Sequence, residues 1–185
     1  MNQQLDFLTR RSSAARLVEP APGGEQLDAI LAAAMRAPDH ARLRPWRFLC
    51  VSGERRADLG KLLVEALLLR NPQADAAAQQ KAANAPLRAP LVVVVIARLS
   101  EHPKVPAIEQ RLSAGCAAYG LLLAAEALGY AGIWRTGDAA FDRRLMEMMG
   151  LAANEEIVGF VYLGSREGEA RPIAAPPLAG YVEQW

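Results

Sequence analysis

Apolar residues along the chain fall into segments whose period changes from one stretch to the next. Leu5 and Leu8, three apart, predict a short first helix over Leu5–Arg10. After the Pro20–Gly24 loop, Leu27, Ile30, Leu31 and Met35 mark one face of a helix over Glu25–Arg36. Trp46–Val51 reads as a strand. Ser52-Gly53 turn the chain into a helix over Glu54–Arg70, with Leu59, Leu62, Leu63, Ala66 and Leu69 inward. Ala74–Ala83 has strong helix formers but almost no large apolar residue, which predicts an exposed helix or a mobile, lid-like excursion. Leu91–Ala97, LVVVVIA, is a β-branched run of strand length and predicts a central strand covered on both faces.

Ala114–Gly132 is almost entirely apolar or small, so the long helix Ile108–Gly129 is predicted to be buried and surrounded by protein, an element that a subunit interface would suit. Glu126 and the lack of flanking basic and aromatic anchors argue against a membrane span. Ala131–Gly137 reads as a short strand, Asp138 as the cap of a helix over Ala139–Met149, and Ile157–Gly164 as the last strand. A proline-bearing tail ends in Tyr181–Trp185, whose aromatic residues predict docking. Four strands with helices between them give an α/β or α+β sandwich in one domain, residues 1–185. A Rossmann fold is disfavoured because no strand runs into a glycine-rich phosphate fingerprint.

Composition narrows the picture little. A net charge of +1 gives no general attraction to nucleic acid or an anionic membrane. Cys50 and Cys116 lie in apolar runs and read as reduced, buried residues. With no secretory signal at the N-terminus, a cytoplasmic protein is expected.

Charge concentrates where helix pattern gives way to strand pattern, in Ala32–Trp46. Arg36, Asp39, His40, Arg42 and Arg44 are too many charges to bury for packing alone. Pro38 ends the helix near Arg36, and Asp39 stands at an N-cap or turn position. A helix end, a charged loop and a strand start converging there would make an anion or cofactor site. The same residues also read as a solvated loop with surface arginines, and by themselves they leave both open. Arg10–Ser12 and Arg135–Thr136 repeat the combination of guanidinium and hydroxyl, a phosphate-binding chemistry. No ligand spacing for a metal, no GxSxG and no P-loop occurs. Donors without a protein nucleophile fit a bound anionic cofactor.

RRSSAARL, MRAPDHARLRPW and GIWRTG, in that order and with KVPAIEQRLSAGCA and IVGFVYLG, resemble the flavin-dependent nitroreductase family. The resemblance is closest to its small YdjA-like branch of NAD(P)H nitroreductases. It implies an α+β fold, with a central, mostly antiparallel sheet flanked by helices, and an intertwined homodimer holding FMN at its interface. The implied activity is hydride transfer from NAD(P)H to flavin N5, then electron delivery to a nitroaromatic, quinone or similar small acceptor by a ping-pong route. A same-fold dehydrogenase or dehalogenase, or a non-catalytic FMN-binding or redox-sensing protein, is the alternative.

By the same resemblance, Arg10, Arg11 and Ser12 would hold the FMN phosphate and ribityl chain. Arg36, Pro38, Asp39 and His40 would reach the flavin, Arg36 and His40 from the partner subunit. Arg36 would stabilise negative charge near N1/O2, and His40 could donate a proton. Trp134, Arg135 and Thr136 match a second flavin-contacting segment, and Ala124–Gly129 a stretch proposed to contact the nicotinamide cofactor. The chain departs from the wider family in Asp39-His40, Arg42 and Arg44, which alter the surroundings of the acceptor.

Overall fold

The structure is a computed structural model describing residues 2–170, 174 and 176–185. Its centre is β3 (Leu91–Arg98), where every residue but Arg98 is buried. A valine-rich strand can sit there because both faces are covered, each fully buried valine contributing on the order of 1.5–3 kcal/mol. β2 (Trp46–Ser52) pairs along one side of β3, and β5 (Glu155–Arg166) along the other. The far edge of β5 is shared end to end: β4 (Ala131–Arg135) pairs with Phe160–Gly164, and β1 (Leu17–Val18) with Ser165 and Arg166. Every pairing is antiparallel. The β3–β5 register slips between Val95 and Ile96, opposite Gly159 and Ile157, which leaves Val158 as a bulge residue.

Period two sends Val92, Val94 and Ile96 to one face and Val93 and Val95 to the other. The first face is covered by α3 (Arg55–Arg70), α4 (Ala76–Ala83) and α6 (Arg143–Met148). The second is covered by α2 (Gly24–Ala34) and α5 (Ala107–Ala127). The last two helices pass closely, since a Cβ on Gly120 would stand 3.1 Å from the Ala34 Cα. α1 (Gln3–Arg10) buries none of its residues. No described helix is long and apolar enough to cross a membrane.

Several expectations need correction. α5 is not surrounded within one chain: Ile108, Leu112, Cys116 and Tyr119 form an exposed stripe. Cys50, on the open side of β2, is exposed too. The helix expected over Ala139–Met149 is instead a 3-10 turn, Asp138–Phe141, followed by α6. Its cap is Asp142, whose side chain accepts from Arg144 N. β1 is an additional strand, too short to show a period, and β5 begins two residues earlier than expected. α4 is no free excursion, because it lies on α3 so closely that a Cβ on Gly60 would be 2.4 Å from Ala83 O. Leu69 and Met35 face out, as do Leu5 and Leu8. Tyr181 and Trp185 are exposed, so the end of the tail docks nowhere on its own chain.

Candidate functional site

Asp39 organises the loop between α2 and β2. One carboxylate oxygen accepts from Leu43 N at 3.0 Å and the other from Arg44 N at 2.8 Å. The turn so closed holds Ala41, Arg42 and Arg44 at φ of 60°, 55° and 50°, a region that residues with a Cβ seldom occupy. Such backbone strain costs on the order of 1–3 kcal/mol per residue and persists only where neighbours enforce it. The effect is to raise charge outward. Arg36, Arg42 and Arg44 line an open cavity of about 640 Å³ with Asp39 and Trp46. Among the described residues none of these three arginines has an ion-pair partner. Pro38, Asp39 and His40 line a smaller adjoining hollow of about 230 Å³, against Glu109 and Ser113 of α5.

Arg135 and Thr136 lie elsewhere, at the end of β4 on the sheet face that α3 and α4 cover. They line a cavity of about 590 Å³ whose walls include Leu63, Leu67, Phe160 and Tyr162. The Arg135 guanidinium sits 5.8 Å from the Tyr162 ring centre, and its Nε is buried without a hydrogen-bond partner. Burial pushes the Tyr162 hydroxyl above its ordinary value, against the pull of Arg135 and Arg88. Lys81 and Arg88 line the same cavity, and neither forms an ion pair among the described residues. Reading the sequence missed both. Lys81 carried a faint signal as the one charged residue in AAAQQKAA, where nothing apolar requires a helix to be.

Trp134, next to Arg135, points by strand alternation to the opposite face. Its indole Nε1 is buried and unpartnered over Gly159. Ser12 is buried beside the outer sheet edge, where its hydroxyl and carbonyl oxygens accept from the Arg166 guanidinium at 3.2 and 2.8 Å. The nearby Ala14 N donates to Gly132 O, tying this N-terminal loop to β4. The Ser12 hydroxyl thus keeps its own proton for another acceptor. Arg10 makes only an exposed contact with Asp6 at 3.8 Å, and Arg11 caps α1. In the Ala124–Gly129 stretch, Ala125 is fully buried while Ala127, Leu128 and Gly129 are exposed.

A single chain therefore brings Arg36 to His40 together on the α2/α5 face and Arg135 and Thr136 on the other. It does not bring the two groups together. The second cavity joins an apolar and aromatic wall to three cations that have no carboxylate partner among the described residues, and to one buried guanidine N–H with no acceptor among them. That donor set fits a flat, anionic cofactor of the flavin mononucleotide kind.

Residues 9–165 match the profile of the Nitroreductase family. The chain is 45% identical over 166 residues to a protein of Escherichia coli (strain K12) named "Putative NAD(P)H nitroreductase YdjA", covering 90% of each. Among solved structures, a nitroreductase-like family protein from Bacillus cereus superposes with a TM-score of 0.81 at 22% identity, covering 100% of this chain and 97% of that one. A nitroreductase with bound FMN from Bacteroides fragilis superposes at 0.74 and 22% identity, covering all of both chains. The chain belongs to the Nitroreductase family, and its fold is the α+β fold of these structures.

Proposed function

We propose that this nitroreductase-family chain is an FMN-dependent NAD(P)H oxidoreductase acting as a homodimer, each FMN lying between residues of two copies. The observation that carries this reading is the Arg135 cavity, where among the described residues Arg135 Nε is buried without a partner and Lys81 and Arg88 form no ion pair. The family match and the names of the relatives support FMN and NAD(P)H as partners in the reaction.

Bound FMN would supply two-electron redox chemistry, linking NAD(P)H as hydride donor to a nitroaromatic, quinone or similar acceptor by a ping-pong route. The chain's own residues bind, orient and balance charge. Arg10 and Arg11 would pair with the cofactor phosphate, and the Ser12 hydroxyl would donate its free proton there. Arg135 and Thr136 would flank the ring, with Phe160 and Tyr162 as its apolar wall. Arg36, Pro38, Asp39 and His40 would arrive from the second copy, a reading that their lining of other hollows than the Arg135 cavity supports. Arg36 would offset negative charge gained on reduction. His40 would give a proton to the reduced acceptor.

The test is the visible spectrum of the protein loaded with FMN and freed of excess. Flavin bands that bleach when NAD(P)H is added without oxygen are the expected result. Bands that persist would mean a binding or sensing protein, and a colourless protein would remove the cofactor assignment.

A further inference from the structure

The loop carrying His40 is fastened to α5 at two points one helical turn apart. His40 Nδ1 lies 2.8 Å from Glu109 Oε2, and Ser113 Oγ donates to Pro38 O at 2.6 Å. Glu109 and Ser113 are i and i+4 on α5, so both present one face to the loop. Besides the Cys116 thiol, the other polar side chains of the hollow are already engaged. Asp39 uses both carboxylate oxygens on Leu43 N and Arg44 N, and the Gln110 amide is bound to Ser100 and Val105. An ionised carboxylate can only accept, so a 2.8 Å contact with Glu109 requires a proton on Nδ1.

We infer that Glu109 is the positioning residue of His40, holding the imidazole through Nδ1–H so that Nε2 is the atom that exchanges protons. The inference rests on the reading of His40 as the proton donor. In the transfer, an imidazolium gives its Nε2 proton to the reduced acceptor and remains a neutral Nδ1–H ring on Glu109, while the electrons originate in NAD(P)H. A carboxylate behind the far nitrogen of a histidine fixes both its tautomer and its aim.

The chain has a built-in comparison. Its only other histidine, His102, uses Nδ1 to accept from Lys104 N at 3.2 Å, so a neutral His102 carries its proton on Nε2. The two histidines should be opposite tautomers.

The experiment is a long-range proton–nitrogen correlation spectrum of the full chain, ¹⁵N-labelled at histidine and loaded with FMN, recorded over a pH series so that the neutral tautomer of each ring is read directly. His102→Gln assigns the signals. His40 should show a protonated Nδ1 and a bare Nε2. Glu109→Gln, whose amide oxygen still accepts, should keep that pattern, whereas Glu109→Ala should return the ring to Nε2–H. Loss of the carboxylate in either variant should slow acceptor reduction about tenfold or more, the usual effect of removing such a partner. A wild-type His40 protonated on Nε2, or an unchanged ring in Glu109→Ala, overturns the assignment, and the wild-type spectrum needs no variant to fold. His40→Ala with undiminished acceptor reduction, beside the expected tautomers, would overturn the proton-donor reading and leave Glu109's hold on the ring standing.

Discussion

The Trp134 indole lies directly over Gly159, so closely that a Cβ there would come within 2.0 Å of the indole nitrogen. Gly159 faces Val95 at the β3–β5 register slip, so the bulge and the missing side chain together make the seat for the ring. Gly159→Ala should therefore displace Trp134 and cost about 1–3 kcal/mol, the range for overpacking a well-filled site. Tryptophan fluorescence and thermal melting read the two effects. An unshifted spectrum with an unchanged melt would show the seat to be slack.

Arg135→Ala removes the guanidinium whose Nε is buried and unpartnered among the described residues, and Arg10→Ala removes a proposed phosphate partner. Both should weaken FMN binding, each by about 1.5–3 kcal/mol for a lost charge-assisted hydrogen bond. Titration of the apoprotein with FMN measures this. An unaltered dissociation constant in either variant would remove that residue from the binding set.

Arg36→Ala has a different expected signature. Its charge matters after electrons arrive, so the variant should slow reduction by NAD(P)H more than it weakens FMN binding. Stopped-flow bleaching, compared with the dissociation constant, separates the two. Reduction at the wild-type rate would end this role for Arg36.

Glu155 supplies a pH prediction. Chiefly through its hydrogen bond to Arg47, its buried carboxyl is held down to about 2, from an ordinary value of 4.5. It takes bonds of 2.8 and 2.7 Å from that guanidinium, with Arg98 at 3.2 Å and Ala152 N at 3.1 Å. A depressed carboxyl stabilises the fold fully above pH 4.5, and the contribution is lost as pH falls through about 2. Glu155→Gln should therefore lower stability near neutral pH and flatten its fall in acid. Denaturant melts across that window check both. Parallel acid curves for variant and wild type would assign the acid sensitivity to other groups.

What the sequence disclosed follows from how local each signal is. LVVVVIA announced a central strand because a β-branched run of that length has few other uses. Asp39 was legible as a turn former from its place after Pro38. α5 misled because its stretch from Ala114 onward is almost entirely apolar or small, and only the packing shows which stripe α2 and the sheet leave uncovered. The same ambiguity hid the cysteines, since an apolar neighbourhood in sequence does not say which face a residue takes. β1 is two residues long and exists only through its pairing with β5. Lys81 and Arg88 gain meaning from Arg135, which is far away in sequence, so no local pattern could mark them. Glu109 met His40 across 69 positions, again a relation that folding alone makes visible.

The placement of the charged loop and the Arg135 cavity on opposite faces of one sheet has a genetic consequence. If each complete site takes its loop from one copy and its cavity from the other, lesions in the two parts belong to different sites. Arg36→Ala and Arg135→Ala proteins, each impaired alone, should then complement one another when co-expressed. A mixed dimer would hold one site carrying both lesions and one carrying neither, and activity diminished in both parents would return in their hybrid.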